Sequence, residues 1–275
     1  MKLSLAIQTP EVDRAVPVAL LSGSFDERLR KARALGADGV ELMTANPRAL
    51  DANAVADMLQ ANGLEAAAVG SGAVAFSTGL TLLSPDLQQA RQARERLTDL
   101  IDFATAVRAP VVTIGSFRGR LAHAGPSARQ DLVIALRDGA GYAESKAVRL
   151  AVEPINRYES DIVNSAAGAM ELVGDVSHSA LGIILDTFHV NIEETSWTEP
   201  FEKVMAAGLL WHVHLGDNNR LYPGQGLIDF PAIVSTLQAC GYNGYLSAEL
   251  LALPDPDTAA AETMRYMRSL VGGRP

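Results

Sequence analysis

At 275 residues, 48% of them hydrophobic and 20% charged, the chain has the makeup of one large or two small globular domains, not of a disordered protein. A formal charge of -9 argues against tight binding to nucleic acid or anionic lipid, because both reward a basic face. No apolar run approaches the ~20 residues that span a bilayer, the N-terminal MKLSLAIQTPEVDR is too briefly apolar for a signal peptide, and the single cysteine, Cys240, reads as a buried, inert thiol of a cytoplasmic protein.

The first apolar run is 3-LSLAI-7, and the amphipathic pattern 26-DERLRKARAL-35 follows it, stopped by Gly36. Next come 39-GVELM-43, a helical stretch closed by Gly63, and 65-EAAAV-69. The long pattern 86-DLQQARQARERLTDLIDFATAV-107 leads into 110-PVVTI-114, and 148-VRLAV-152 and 181-LGIIL-185 continue the series. The last two runs, 209-LLWHVHL-215 and 243-NGYLSAEL-250, enclose the helical 230-FPAIVSTLQAC-240, which ends at Gly241. Run centres lie about 27 to 45 residues apart, the repeat of strand-plus-helix units. Continuous rather than alternating apolar strands point to a parallel sheet covered on its outer side. Eight units fill the chain, which predicts a (β/α)8 TIM barrel occupying residues 1–275 as one domain. A doubly wound sheet fits less well, because 8-QTPEVDRAVPV-18 has no Gly-rich turn after the first strand.

Chemistry in such a barrel gathers where strands run into the following loops. Strand five ends at Glu153, strand six at Asp186, strand seven at His214 and strand eight at Glu249, with spacings of 33, 28 and 35 residues. A lone glutamate at a strand end is most simply a cap or a surface residue. Four successive strands aiming three carboxylates and an imidazole at one face are another matter. Three crowded carboxylates repel and raise one another's pKa unless a cation joins them. Oxygen and nitrogen donors without a thiolate suit Mn2+, Mg2+ or Co2+, with Zn2+ also possible.

The stretches EPINRYES, LDTFHVNIEE, HVHLGDNNRLYPGQGLIDF and AEL, with ADGVELM and VVTIGSFRGR, resemble the xylose isomerase-like superfamily of sugar isomerases and epimerases. The resemblance covers nearly the whole chain and is strongest to ketose 3-epimerases and 5-keto-L-gluconate epimerases. It implies that Glu153, Asp186, His214 and Glu249 are metal ligands, with Mn2+ first among the cations, and that Glu153 and Glu249 are also the acid/base pair. It further implies that Glu159, His189 and Arg220 contact the substrate's hydroxyls, and that the protein is a homo-oligomer, a dimer or tetramer. The implied activity is epimerisation of a ketose or keto-sugar acid: a proton leaves the carbon beside a carbonyl, an enediolate forms, and a proton returns. Two carboxylates on opposite sides of a sugar invert a stereocentre, whereas one base shuttling the proton between neighbouring carbons isomerises.

Other polar residues invite weaker readings. Arg118 and Arg120 could meet a sugar carboxylate or phosphate, or equally form surface salt bridges. Gly70-Ser71-Gly72 offers an anion cradle but is more simply a turn. His212 is placed on the opposite side of its strand from His214, as a packed residue. Trp197 and Trp211 read as packing, and Asp217-Asn218-Asn219 as shaping the loop after strand seven. Competing functions are an aldose-ketose or sugar-phosphate isomerase and a type IV apurinic endonuclease. The endonuclease needs further histidines at the ends of strands two to four, where MTANP, GSGAV and GSFRG have none, and His178 precedes strand six on the wrong face.

Overall fold

A computed structural model describes residues 1–272 of the chain. Eight parallel strands, β1 (Lys2–Gln8), β2 (Gly39–Met43), β3 (Glu65–Gly70), β4 (Val111–Ile114), β5 (Arg149–Val152), β6 (Leu181–Asp186), β7 (Leu210–Leu215) and β8 (Tyr245–Ala248), pair in sequence order. β8 returns to β1 with Ser247 opposite Ser4, closing the barrel. Each strand is followed by helix: α1 (Phe25–Ala34), α2 (Ala52–Ala61), α3 (Gly72–Thr78) and α4 (Leu87–Val107), α5 (Ala128–Ser145), α6 (Ala166–Val176), α7 (Thr187–Glu193) and α8 (Glu199–Ala206), α9 (Phe230–Ala239) and α10 (Pro256–Val271). The chain is therefore the single-domain TIM barrel that the spacing of its apolar runs predicts.

Local chemistry sets the helix limits. Ser24 and Glu27 form a reciprocal capping box at the start of α1. Asp51, Asp86, Asp229 and Asp255 accept from free backbone N–H groups of α2, α4, α9 and α10. Gly36, Gly63 and Gly241 follow their helices with φ of 80°, 64° and 76°, a conformation glycine adopts without steric cost.

Alternation along the strands makes two apolar layers. Leu3, Leu5 and Ile7 of β1 join the large core between barrel and helices. Ala68, Val111, Ala151 and Ile184, one from each of four adjacent strands, form a separate small cluster that we place inside the barrel. Above them the interior turns polar, with Glu41, Thr113, His212 and His214 all buried. Among the described residues no helix is long and apolar enough to cross a membrane.

One expectation fails at the far end of the barrel. Cys240 is exposed, not buried. It is the C-terminal cap of α9, immediately before the Gly241 turn, and a residue at a helix end facing solvent escapes the apolar stripe that its helix presents to the barrel.

Candidate active site

The ends of β5 to β8 converge on one cleft. Glu153 directly follows β5 and its N–H continues the ladder to the Ile114 carbonyl at 3.0 Å. Asp186 closes β6 and caps α7, its Oδ1 accepting from the Phe188 N–H at 2.8 Å. Its second oxygen, Oδ2, is buried with no hydrogen-bond partner among the described residues. His214 lies one residue before the end of β7, and Glu249 follows β8 with its N–H on the Leu215 carbonyl. His214 Nδ1 stands 3.3 Å from Glu153 Oε1 and 3.5 Å from Glu249 Oε2. Each of the four offers one donor atom, and these atoms lie within 4.8 Å of one another.

Three oxygens and one nitrogen at that separation, with an orphaned carboxylate oxygen among them, make a donor set that fits a hard or borderline divalent cation. A buried carboxylate oxygen without a partner is otherwise costly.

Burial and charge pull these groups apart in proton affinity. Burial raises Glu249, and although His214 and Arg220 oppose it, Glu153 and Glu41 add their repulsion, leaving its carboxyl pushed up to about 8. Burial also acts on Glu153, but the hydrogen bond and charge of His214, with His189 and Arg118, outweigh it and hold that carboxyl at about 2. Asp186 is raised, by burial first and then by Glu153. Burial pushes His214 down, yet the carboxylates of Glu41 and Glu249 and the hydrogen bonds to Glu153 and Glu41 hold it well above its ordinary value.

A second set of polar groups lines the same cleft. Arg220 sits at φ 59°, in a turn whose N–H bonds the Asp217 carbonyl. Its guanidinium stacks 4.8 Å from the centre of the Phe188 ring. It meets both oxygens of Glu159 at 2.9 and 3.0 Å, and lies 3.9 Å from Glu249 Oε2. His189 is buried, with Nδ1 2.8 Å from the Asn156 amide nitrogen and Nε2 3.9 Å from Asp186 Oδ2. The three residues named for substrate contact are thus beside the four-residue cluster. Val16, Pro17, Val18, Met43, Phe76 and Ile155 supply an apolar wall, and the cleft with its open mouth encloses about 760 Å³. Of the described residues lining it, Arg220 alone is a lysine or arginine.

Asp217 does shape the loop after β7: its carboxylate accepts from the N–H groups of Asn218, Gly224, Gly226 and Ile228. Gly70 and Gly72 line the cleft, and Ser71 immediately precedes the seven-residue α3, an ordinary turn into helix. Trp211 packs flat against Gly182 beneath Arg149, and Trp197 is partly buried with its indole N–H on Asn191. His178 lies before β6, accepting from the Ala180 N–H, outside the cleft.

Three expectations need correction. His212 does not lie opposite His214. Residues two apart on a strand share a face, and both imidazoles reach Glu41 Oε2 through Nε2 at 2.9 Å. His212 is nonetheless buried and packed. Arg118 is neither an anion contact nor a surface salt bridge. It is fully buried and donates to the carbonyls of Gly115, Glu153, Ile162 and Val163 and to Ser160 Oγ, and burial lowers its pKa to about 10. Arg120 donates to the Glu159 carbonyl from the surface.

Sequence reasoning missed Glu41, Asn156 and Gly115. A glutamate inside an apolar strand run, as in GVELM, was the available signal, because glutamate is almost never fully buried unless paired. Glu41, His212 and His214 form a further group whose three donor atoms lie within 4.8 Å of one another. Gly115 leaves space for the Glu153 carboxylate, which a Cβ there would strike.

Comparison with known proteins agrees with this architecture. The xylose isomerase-like TIM barrel family model matches residues 29–270. An L-ribulose 3-epimerase from Methylomonas sp. (strain DH-1) is 28% identical over 239 residues, covering 86% of this chain and 81% of the relative. A ketose 3-epimerase from Arthrobacter globiformis is 27% identical over 231 residues, 81% of this chain and 78% of the relative. The crystal structure of a 3-keto-D-glucoside 4-epimerase from E. coli superposes with a TM-score of 0.79 at 22% identity, over 98% of this chain and all of that one, a likeness of fold.

Proposed function

The chain belongs to the xylose isomerase-like TIM barrel family, and from that premise we propose that it is a divalent-metal-dependent epimerase of a ketose or keto-sugar acid. The observation that carries this reading is the pair of carboxylates, Glu153 and Glu249, held within 3.5 Å of the same imidazole nitrogen yet driven to opposite proton affinities. Unequal pairs of this kind separate the roles of base and acid near neutral pH. The relatives support the same class, since they include an L-ribulose 3-epimerase and a ketose 3-epimerase.

Glu153, Asp186, His214 and Glu249 would hold the cation, Mn2+ first, with Mg2+ or Co2+ as alternatives. When bound, it supplies Lewis-acid stabilisation of the negative charge that develops beside the carbonyl. The chain's own residues do the rest. Glu153, ionised, takes the proton from the carbon next to the carbonyl. Glu249 returns one to the other face of the same carbon, which requires its carboxyl to hold a proton when the substrate is bound, and the reverse reaction exchanges their roles. Arg220, anchored on Phe188 and Glu159, and His189, oriented by Asn156, bind the hydroxyl and carbonyl oxygens of the sugar. The apolar wall shields the reacting face from water.

A sugar phosphate is a poorer fit, because Arg220, the only lysine or arginine among the described residues lining the cleft, is already paired with Glu159. The test is a panel of free ketoses and keto-sugar acids offered to the protein with Mn2+ and, in parallel, with EDTA. Cation-dependent formation of an epimer from at least one panel member is expected. Full activity in EDTA, or phosphorylated sugars as the only substrates, would overturn this reading.

A further inference from the structure

We propose that Glu41, reaching across the barrel interior from β2, is a positioning residue that fixes the proton on His214 Nε2 and so aims the Nδ1 lone pair at the cation; this rests on the cation-centred reading above. A neutral imidazole has one nitrogen free to coordinate, and the hydrogen bond at the other nitrogen decides which. His214 Nδ1 faces Glu153 and Glu249 at 3.3 and 3.5 Å. Its Nε2 faces Glu41 Oε2 at 2.9 Å, a hydrogen-bond length. With a carboxylate as acceptor, the proton belongs on Nε2 and the lone pair on Nδ1.

Glu41 is itself held on every side. His212 Nε2 meets the same Oε2 at 2.9 Å, and the Thr113 hydroxyl donates to Oε1 at 3.3 Å. His212 and His214 stand edge to face, with ring centres 5.3 Å apart. Gly70 makes room for Glu41, since a Cβ there would lie 3.2 Å from Oε1. Glu41 is 1% exposed, His212 1% and His214 1%, so the network lies in the barrel interior, out of solvent, directly below the donor cluster. A buried carboxylate with three donors adds little stability over apolar packing of the same volume. Orientation of a ligand is what this arrangement provides.

The test titrates metal-free parent, Glu41→Gln and Glu41→Leu proteins with Mn2+, counting bound cations, and records 15N-histidine NMR spectra of the Zn2+-loaded forms. The parent is expected to bind one cation per cluster and to show His214 protonated on Nε2 and not on Nδ1. Glu41→Leu is expected to bind Mn2+ about 10–100-fold more weakly and to lose that single-tautomer signature. Glu41→Gln, whose amide oxygen still accepts from Nε2–H, is expected to keep the tautomer and recover part of the affinity, a rescue that a merely space-filling role for Glu41 does not give. A parent His214 protonated on Nδ1 overturns the inference, and the parent spectrum decides this even if Glu41→Leu does not fold. So does a folded Glu41→Leu with parental affinity and tautomer. A second cation in the parent, lost selectively in Glu41→Leu, would make Glu41 a ligand and overturn it as well. A parent that binds no cation removes the reading on which the inference rests, an outcome distinct from the others.

Discussion

Glu153 and Glu249 occupy equivalent places, each one residue beyond its strand, and their surroundings separate them. Replacing either with Gln keeps an oxygen that can coordinate and removes the ability to move a proton. Glu153→Gln and Glu249→Gln are each expected to lower kcat by about 10²–10⁴-fold while a metal titration still finds bound cation. A metal-loaded Gln variant that turns over like the parent would end the two-carboxylate account. Arg220 is expected to behave differently, since it lies beyond the cluster and is paired with Glu159. Arg220→Ala should keep the cation and lose about 10–100-fold in kcat/KM, the weight of a charged hydrogen bond. Loss of the cation with an intact fold would place Arg220 in the metal shell instead.

Arg118 ties elements together: its guanidinium joins the end of β4 to the segment after β5 through four backbone carbonyls. Arg118→Met would take a donor from all four and leave the buried Glu153 carbonyl with none among the described residues, at a cost on the order of 1–3 kcal/mol. Arg120→Ala, at the exposed end of the same loop, is expected to cost less than about 0.5 kcal/mol. Urea unfolding of the two variants checks the contrast, and equal stabilities would contradict the clamp. Arg118 also marks where the sequence stops being legible. The eight strands and the residues ending β5 to β8 could be read from chain order, because apolar runs and terminal carboxylates are local signals. The partners of Arg118 cannot, because Gly115, Glu153, Ile162 and Val163 meet only after the chain has closed on itself. His212 was misplaced for a simpler reason, an alternation counted one step out. Glu41 was passed over because a single glutamate in GVELM looks like strand composition until His212 and His214 arrive from the other side of the barrel.

Across the whole molecule, cation, protons and stability are coupled. Glu249, Asp186 and His214 all have raised proton affinity without a cation. Raised proton affinity makes protons compete with a cation for these donors, and Glu249, pushed up to about 8, brings that competition into the neutral range. Affinity is therefore expected to climb as pH rises from 6 through about 8, the value to which Glu249 is pushed. Proton release should show as a dependence of calorimetric heat on buffer ionisation. A cation at 100 times its Kd should add about 2.7 kcal/mol of stability, raising Tm more at pH 8 than at pH 6. A pH-independent affinity would contradict the protonation states described for the cluster.

The central claim is that two carboxylates act on opposite faces of one carbon. Proton NMR of a turnover reaction run in D2O, with metal-loaded protein and a ketose on which it acts, addresses that claim most directly. The account predicts an epimeric ketose carrying solvent deuterium at the inverted carbon, with the remaining C–H signals retained. An aldose product, or an epimer whose inverted carbon keeps its original proton, would contradict it.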